Sequence, residues 1–131
     1  MPNSGVIGII LNMELIFFNS RDQLLRINMR KIVYFEGDGN LTYIVMTNKM
    51  KGTVSMNLGK MEELLATQYG KKARFFIRIG KRFIINMNYI YQVNVAKQTL
   101  VLSDYQTFAF QIPVSKEALK KVKEQMLISK I

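Results

Sequence analysis

The sequence predicts a mainly β fold of half-buried antiparallel strands with two short helices. Apolar and polar residues alternate at period two along most of the chain, which is the pattern of strands with one face in a core. Polar or glycine-containing turns separate these stretches, whereas apolar residues at helical spacing occur in only two places. With 131 residues, of which 49% are hydrophobic, the chain is long enough for one globular domain with its own core.

The strands are placed by this alternation and by the turns between them. A turn at 19–22 joins the first two strands into a hairpin, and a glycine-containing loop at 36–40 separates the third strand from the fourth. The strands predicted before the first helix are 15–18, 24–27, 32–35, 41–47 and 51–56. Those predicted after it are 75–79, 83–86, 91–95, 100–102 and 108–112. Pro113 stops the last strand.

Two segments have the apolar spacing of helices. The first is predicted to begin after the N-cap residue Asn57, to run to about residue 68 and to end at Gly70. The second begins after Ser115 and runs from 116 to about 127. The apolar faces are Leu58, Met61, Leu64 and Leu65 in the first helix and Ala118, Leu119, Val122 and Met126 in the second. We interpret the first of these faces as core packing.

Residues 74–86 combine two short apolar strands with a basic turn. Gly80 breaks the segment, and three cations surround it, namely Arg78, Lys81 and Arg82. A hairpin tip held by a sheet is a common position for binding residues, although lysine and arginine also solvate ordinary hairpins. The local pattern alone therefore leaves both interpretations open.

The charge of the whole chain favours a polyanionic partner. Nineteen Lys and Arg residues against nine Asp and Glu give a formal net charge of +10 and a sequence pI near 9.9, which is more than solubility requires. The cations are also clustered: Lys71, Lys72, Arg74, Arg78, Lys81 and Arg82 form one group, and Lys116, Lys120, Lys121 and Lys123 form another. Such clusters indicate binding to nucleic acid or to an anionic membrane surface.

The residue types that the sequence lacks exclude most common catalytic constellations. Without cysteine or histidine, the chain cannot build a thiol nucleophile, a Ser–His pair, a disulfide or an ordinary zinc site. Its carboxylates are scattered, apart from Glu62 and Glu63 on the first predicted helix, and the loop at 36–40 lacks the ligands of an EF-hand. We therefore expect no catalytic residues, no metal and no cofactor. An enzyme that uses carboxylates alone stays an alternative.

The apolar run 5–18 is interpreted as core strand. Asn12 and Glu14 interrupt it, and it is shorter than the roughly 20 residues that cross a bilayer. It also lacks the basic start and cleavage site of a signal peptide. We therefore expect a cytoplasmic protein with an N-terminal extension at 1–14 that is partly strand, one domain at 15–127 and a loose tail at 128–131.

Four segments, taken in order, resemble the LytTR DNA-binding domain of bacterial response regulators. They are YFEGDGNLTYIVMT (34–47), VSMNLGKMEELL (54–65), FFIRIGKRFIIN (75–86) and IPVSKEALKKVK (112–123). The resemblance extends from about Leu15 to Leu127 and depends on the order and spacing of the segments. It implies an elongated antiparallel β fold of stacked small sheets. It also implies that loops, and not a recognition helix, contact DNA.

In this family, three loops reach successive DNA grooves. On this chain the matching loops are 38–42, 80–82 and 115–116. The resemblance and the charge together give five candidates for reading bases, which are Asn40, Thr42, Lys81, Arg82 and Lys116. The candidates for contacting phosphates are Lys71, Lys72, Arg74, Arg78, Ser115, Lys120, Lys121 and Lys123.

Three positions depart from the family pattern. Gly80 stands where the family usually has histidine, and Arg82 stands where it usually has serine. Lys116 stands where arginine is common, which replaces a planar fork of donors with a point charge and weakens the expected discrimination of guanine. The DNA sequence preference of other members is therefore not expected to apply to this chain.

The resemblance implies a bacterial transcriptional regulator with double-stranded DNA as its partner, binding as a homodimer on repeated half-sites. The residues ahead of Leu15 are too few for a receiver domain, so we expect the signal to come from a membrane protein or another signalling partner. Besides the enzyme, two alternatives stay open. One is a basic membrane-surface or protein-interaction module, and the other is an RNA-binding domain in which Tyr43 and Tyr89 stack on bases.

Overall fold

The computed structural model describes residues 14–130, which form ten strands and two α-helices. The strands are β1 (Leu15–Asn19), β2 (Leu24–Asn28), β3 (Ile32–Asp38), β4 (Leu41–Met46), β5 (Lys51–Val54), β6 (Phe76–Ile79), β7 (Phe83–Asn86), β8 (Ile90–Asn94), β9 (Thr99–Ser103) and β10 (Ala109–Pro113). The helices are α1 (Leu58–Leu64) and α2 (Lys116–Ile128). Short helical turns occupy Met29–Lys31, Leu65–Tyr69, Gly70–Ala73 and Met87–Tyr89.

The strands form three antiparallel sheets. A central five-stranded sheet has the order β5-β4-β3-β7-β6, a three-stranded sheet has the order β10-β9-β8, and β1 pairs with β2 alone. The predicted mainly β, antiparallel fold of stacked small sheets with two helices is therefore confirmed. Within the described residues, no helix is both long enough and apolar enough to cross a membrane.

The central sheet has a hydrophobic core on each face, because its side chains point alternately to opposite sides. The core on one side, which includes the β1–β2 hairpin and α1, contains Ile16, Ile27, Phe35, Ile44, Leu58, Met61 and Ile84. The core on the other side, which includes the three-stranded sheet and α2, contains Tyr34, Phe83, Ile85, Leu100, Leu102 and Leu119. The central sheet is thus a middle layer that fixes the relative positions of the two helices.

Both helices begin at the predicted caps. The Asn57 side chain accepts the backbone N–H of Lys60 at 2.8 Å, and the Ser115 hydroxyl accepts that of Ala118 at 3.3 Å. A π-helical turn, Leu65–Tyr69, continues α1 as far as Gly70, whose φ of +49° suits glycine and ends the helix.

The structure differs from the sequence prediction at both ends of the chain and at Phe75. The strand predicted from 75 begins one residue later, because Gly70–Ala73 forms a helical turn, and Phe75 packs with the α1 core instead of sharing a face with Ile77 and Ile79. Helix α2 extends to Ile128, one residue into the predicted tail. The strand expected within 1–14 lies, except for Glu14, outside the described residues.

Candidate nucleic-acid interface

The β3–β4 and β6–β7 turns lie at the same end of the central sheet. Strands β3 and β7 are antiparallel neighbours in which Glu36 pairs with Phe83. Beyond that pair, the Gly37 N–H donates to the Arg82 carbonyl at 2.8 Å. The sheet therefore brings the exposed Asn40 of one turn to the same edge as the exposed Lys81 and Arg82 of the other.

Arg78 stabilises the β6–β7 turn through hydrogen bonds to its main chain. Its guanidinium donates to the carbonyl oxygens of Gly80 at 2.9 Å and Lys81 at 3.1 Å, and to Oε1 of Glu62 in α1 at 3.0 Å. Gly80 has a φ of +61°, a conformation that an L side chain rarely adopts. These hydrogen bonds order the turn, in which Lys81 is exposed to solvent.

Arg82 is held against β3. Its Nη2 lies 2.6 Å from Oε2 of Glu36, and the centre of its guanidinium lies 5.1 Å from the centroid of the Phe83 ring. The side chain of Arg82 is nevertheless 59% exposed. The sequence interpretation missed Glu36 as its partner, because that pairing depends on the β3–β7 register and no local pattern encodes it.

The corner that opens α2 faces the β6–β7 turn across a groove. This groove has a volume of about 420 Å³ and is lined by residues 79–83 on one side and by Pro113, Val114, Ser115 and Ala118 on the other. Ser115 and Lys116 are both exposed. The structure therefore places two of the three predicted loops on opposite walls of one groove, with the third loop beside them.

The basic residues 71–74 lie at the opposite end of the central sheet. They precede β6, which runs four residues before it reaches the turn at Gly80. At 3.3 Å per residue, the strand separates this basic group from the turn by roughly 13 Å. Lys71, Lys72 and Arg74 are exposed, but they do not contribute to the groove.

The lysines of α2 divide between two sides of the helix. Lys116, Lys120 and Lys123 follow one another at spacings of four and three residues, so they share one exposed face. Lys121 instead lines a second groove, of about 400 Å³, with residues of β6 that include Ile77 and Arg78. A single flat anionic surface would not contact all four lysines.

Two predicted contact residues are used within the protein. Thr42 was expected in an exposed loop, but it lies in β4 with 0% exposure, and its hydroxyl donates to the Met56 carbonyl at 2.8 Å. The prediction that Thr42 reaches a base edge is therefore wrong for this structure. Arg78 similarly uses three of its five donors in intramolecular hydrogen bonds, and its side chain is 28% exposed, so it is less available for the predicted phosphate contact than the exposed cations are.

The two tyrosines suggested for base stacking both make contacts within the protein. The Tyr89 hydroxyl donates to the Arg30 carbonyl at 2.9 Å, and its ring packs on Phe108, so burial raises its pKa. The Tyr43 hydroxyl donates to Asp38 at 3.1 Å, and this hydrogen bond is the main cause of the raised pKa of Tyr43. Tyr89 is half-buried, which weakens its support for the RNA alternative.

The acidic residues do not gather into a metal site. Within residues 14–130, no group of three or more aspartates and glutamates lies close enough to hold an ion. Glu36 and Glu62 are instead paired with Arg82 and Arg78. The described residues carry an excess of positive charge, and lysine and arginine donors suit phosphate oxygens and base edges.

Comparisons with known proteins match this chain to a family model and to a solved structure. The family model for the LytTr DNA-binding domain matches residues 22–127. A solved structure described as the LytTr DNA-binding domain of a methyl-accepting/DNA response regulator from Bacillus cereus is similar, with a TM-score of 0.60 and 23% sequence identity over 86% of this chain and 95% of that one. A search among curated proteins found no match.

Proposed function

The chain belongs to the LytTR family of DNA-binding domains, and on this premise we propose that it recognises double-stranded DNA in a sequence-specific manner through the turns at one end of its central sheet. The observation that supports this proposal is the joining of two turns by the Gly37–Arg82 hydrogen bond. That bond joins the exposed residues Asn40, Lys81 and Arg82 to one edge of the sheet, and Ser115, the residue before Lys116, lines the same groove as Lys81 and Arg82.

In this proposal, the exposed side chains of Asn40, Lys81 and Arg82 at that edge and of Lys116 at the start of α2 read bases. Lysine and arginine donate to guanine O6 and N7, and an asparagine amide both donates and accepts at adenine. Lys116 stands at the first turn of α2 as a compact charge, so we expect it to discriminate guanine less sharply than an arginine would.

Six further exposed cations contact the DNA backbone in this proposal. Lys71, Lys72 and Arg74 lie at one end of the sheet, and the two sides of α2 carry Lys120, Lys121 and Lys123. The Ser115 hydroxyl accepts the Ala118 N–H and keeps its own O–H for a phosphate oxygen. If about five phosphates are neutralised, the logarithm of affinity falls against the logarithm of salt concentration with a slope of roughly −4 to −5.

We further propose that the protein acts without catalysis as a transcriptional regulator in a bacterial cytoplasm and binds repeated half-sites as a homodimer. A C2 dimer would present the same edge to two successive sites on one side of the duplex. A membrane protein or another signalling partner would supply the signal to which the regulator responds.

Selection of bound sequences from a randomised DNA duplex pool tests this function. We expect enrichment of two short motifs separated by about one helical turn, or about 10 base pairs. Failure to enrich any motif, combined with tight binding to vesicles of anionic lipid, would favour the membrane-surface alternative. Preference for single-stranded RNA over duplex DNA in a competition assay would favour the RNA alternative.

A further inference from the structure

We propose that Glu36 is a positioning residue that orients the Arg82 guanidinium for base recognition. Glu36 lies at the end of β3, where it pairs across the sheet with Phe83 in β7 and with Tyr43 in β4. It was not among the residues expected to bind DNA, and its carboxylate would repel phosphate. The inference depends on the proposed function, because it assigns Glu36 a role within the same DNA-reading edge.

Arg82 is anchored to β3 at both its main chain and its side chain. The Gly37 N–H donates to the Arg82 carbonyl at 2.8 Å, and Nη2 of Arg82 donates to Oε2 of Glu36 at 2.6 Å. The Glu36 side chain is only 25% exposed, so its own position is restricted by its neighbours. The guanidinium also stacks on Phe83, with its centre 5.1 Å from the ring centroid, and this contact restricts the orientation of the guanidinium plane.

The arrangement leaves donors of Arg82 available to DNA. A guanidinium has five N–H donors in a fixed plane, and within residues 14–130 the side chain of Arg82 makes a hydrogen bond only to Glu36. The side chain is 59% exposed at the end of the sheet. Two of its donors can therefore pair with O6 and N7 of one guanine while Glu36 retains its own hydrogen bond.

A fixed arginine has two advantages for recognition over a free one. Less side-chain entropy is lost on binding, because the side chain is already ordered. The Glu36 carboxylate also makes the local potential less attractive to a phosphate, so it penalises binding in which Arg82 contacts only the backbone. Both effects increase the difference in affinity between the correct sequence and other sequences more than they increase overall affinity.

A double-mutant cycle in the full chain tests this role. The wild-type protein is first used to select a duplex from a randomised pool, and dissociation constants are then measured on that duplex and on a shuffled duplex of the same composition. The variants are Glu36→Ala, Glu36→Gln, Arg82→Ala and the double variant Glu36→Ala/Arg82→Ala. Glu63→Ala is the matched control, because it removes one exposed carboxylate on α1 away from the turns.

We expect Arg82→Ala to lower the ratio of selected to shuffled affinity by roughly 5- to 150-fold, the range for one bidentate base contact. Glu36→Ala should lower that ratio by at least about 5-fold within the same range, while it leaves binding to the shuffled duplex unchanged or tighter. Glu36→Gln should recover part of the ratio, because its amide oxygen still accepts from Arg82. In the Arg82→Ala background, Glu36→Ala should have no further effect on the ratio, and Glu63→Ala should not change it in either background.

Two results would overturn the inference while the proposed function stands. If Glu36→Ala tightens binding to both duplexes equally, Glu36 blocks Arg82 and does not orient it. If Glu36→Ala lowers the ratio equally with and without Arg82, it acts through the fold, and thermal unfolding of each variant would show the loss of stability. By contrast, failure of the wild-type protein to select any duplex would end the proposed function and this inference together.

Discussion

Nη1 of Arg78 lies 3.0 Å from Oε1 of Glu62, an ion pair that connects β6 to α1 beneath the β6–β7 turn. The Arg78 side chain is 28% exposed, and its other two hydrogen bonds go to the carbonyls of Gly80 and Lys81. An arginine that the charge pattern assigned to DNA therefore stabilises the turn that presents Lys81.

We expect Arg78→Met to destabilise the fold without changing the number of DNA phosphates contacted. The change removes hydrogen bonds from a charged donor to two turn carbonyls, which is worth about 1–2 kcal/mol after allowance for partial exposure. Urea unfolding measures the loss of stability. Affinity for duplex DNA should fall because the turn is less ordered, while the slope of log affinity against log salt concentration stays that of the wild type.

Lys81→Ala is the matched control, because Lys81 is exposed and only its main chain contacts Arg78. Its stability should stay within about 0.5 kcal/mol of the wild type. Its effect should instead be on DNA binding, with loss of discrimination if Lys81 reads a base or a salt slope less steep by about 0.9 if it contacts a phosphate. A changed salt slope for Arg78→Met, with no loss of stability, would restore Arg78 as a phosphate contact.

Local backbone roles could be predicted from the sequence alone, whereas the ion-pair partners of the arginines could not. Asn57, Gly70, Gly80 and Ser115 act on the backbone within a few residues, so their roles as caps and turn residues were predictable from local sequence. The partners of Arg78 and Arg82 lie 16 and 46 residues away. The Arg82–Glu36 pair depends on the β3–β7 register, and the Arg78–Glu62 pair depends on how α1 packs near β6, neither of which period-two alternation specifies.

Thr42 is a second residue whose role depends on the fold and was not evident from the sequence. Its buried hydroxyl donates to the Met56 carbonyl at 2.8 Å, between β4 and the residues that lead into α1. Thr42→Val keeps the shape and removes this hydrogen bond, so we expect a loss of about 1–2 kcal/mol in the free energy of unfolding. DNA sequence preference should be unchanged when selection from the randomised pool is repeated with the variant.

Thr42→Ser is the paired control, since it keeps the hydroxyl and removes only a methyl group. If Thr42→Val changes the selected sequence while its unfolding curve matches that of the wild type, then Thr42 contacts DNA after a rearrangement of β4, and the buried hydroxyl is not its main role.

Asp104 should make stability depend on pH. Its Oδ1 accepts the backbone N–H groups of Gln106, Thr107 and Phe108 at 3.0, 2.7 and 3.1 Å. Desolvation alone would raise the pKa of Asp104, but these hydrogen bonds outweigh it and hold the pKa well below the ordinary 3.8. Because the folded pKa is the lower one, the carboxylate stabilises the fold above pH 3.8, and this contribution is lost as the pH falls below that value.

We therefore expect Asp104→Ala to lower the melting temperature at neutral pH, and we expect the difference from wild type to shrink as the pH is lowered below 3.8. Asp104→Asn keeps an acceptor oxygen for the loop and removes the charge, so it separates the hydrogen-bonding role from the ionic one. A difference in melting temperature that is the same at neutral and acidic pH would contradict the ionic contribution.

Lys116 and Lys71 test whether the two ends of the molecule have different roles in DNA binding. Lys116 is exposed at the first turn of α2 beside the groove, whereas Lys71 precedes β6, a strand roughly 13 Å long that leads to the β6–β7 turn. We expect Lys116→Ala to cost on the order of 1–3 kcal/mol on the selected duplex and to relax preference at one base pair.

Lys71→Ala should weaken binding to selected and shuffled duplexes alike and make the salt slope less steep by about 0.9, since a phosphate contact carries no sequence information. Binding to both duplexes across a series of salt concentrations measures both quantities for each variant. Equal losses on the two duplexes for Lys116→Ala would show that Lys116 contacts phosphate as well, and base reading would then rest on the joined turns at Asn40, Lys81 and Arg82 alone.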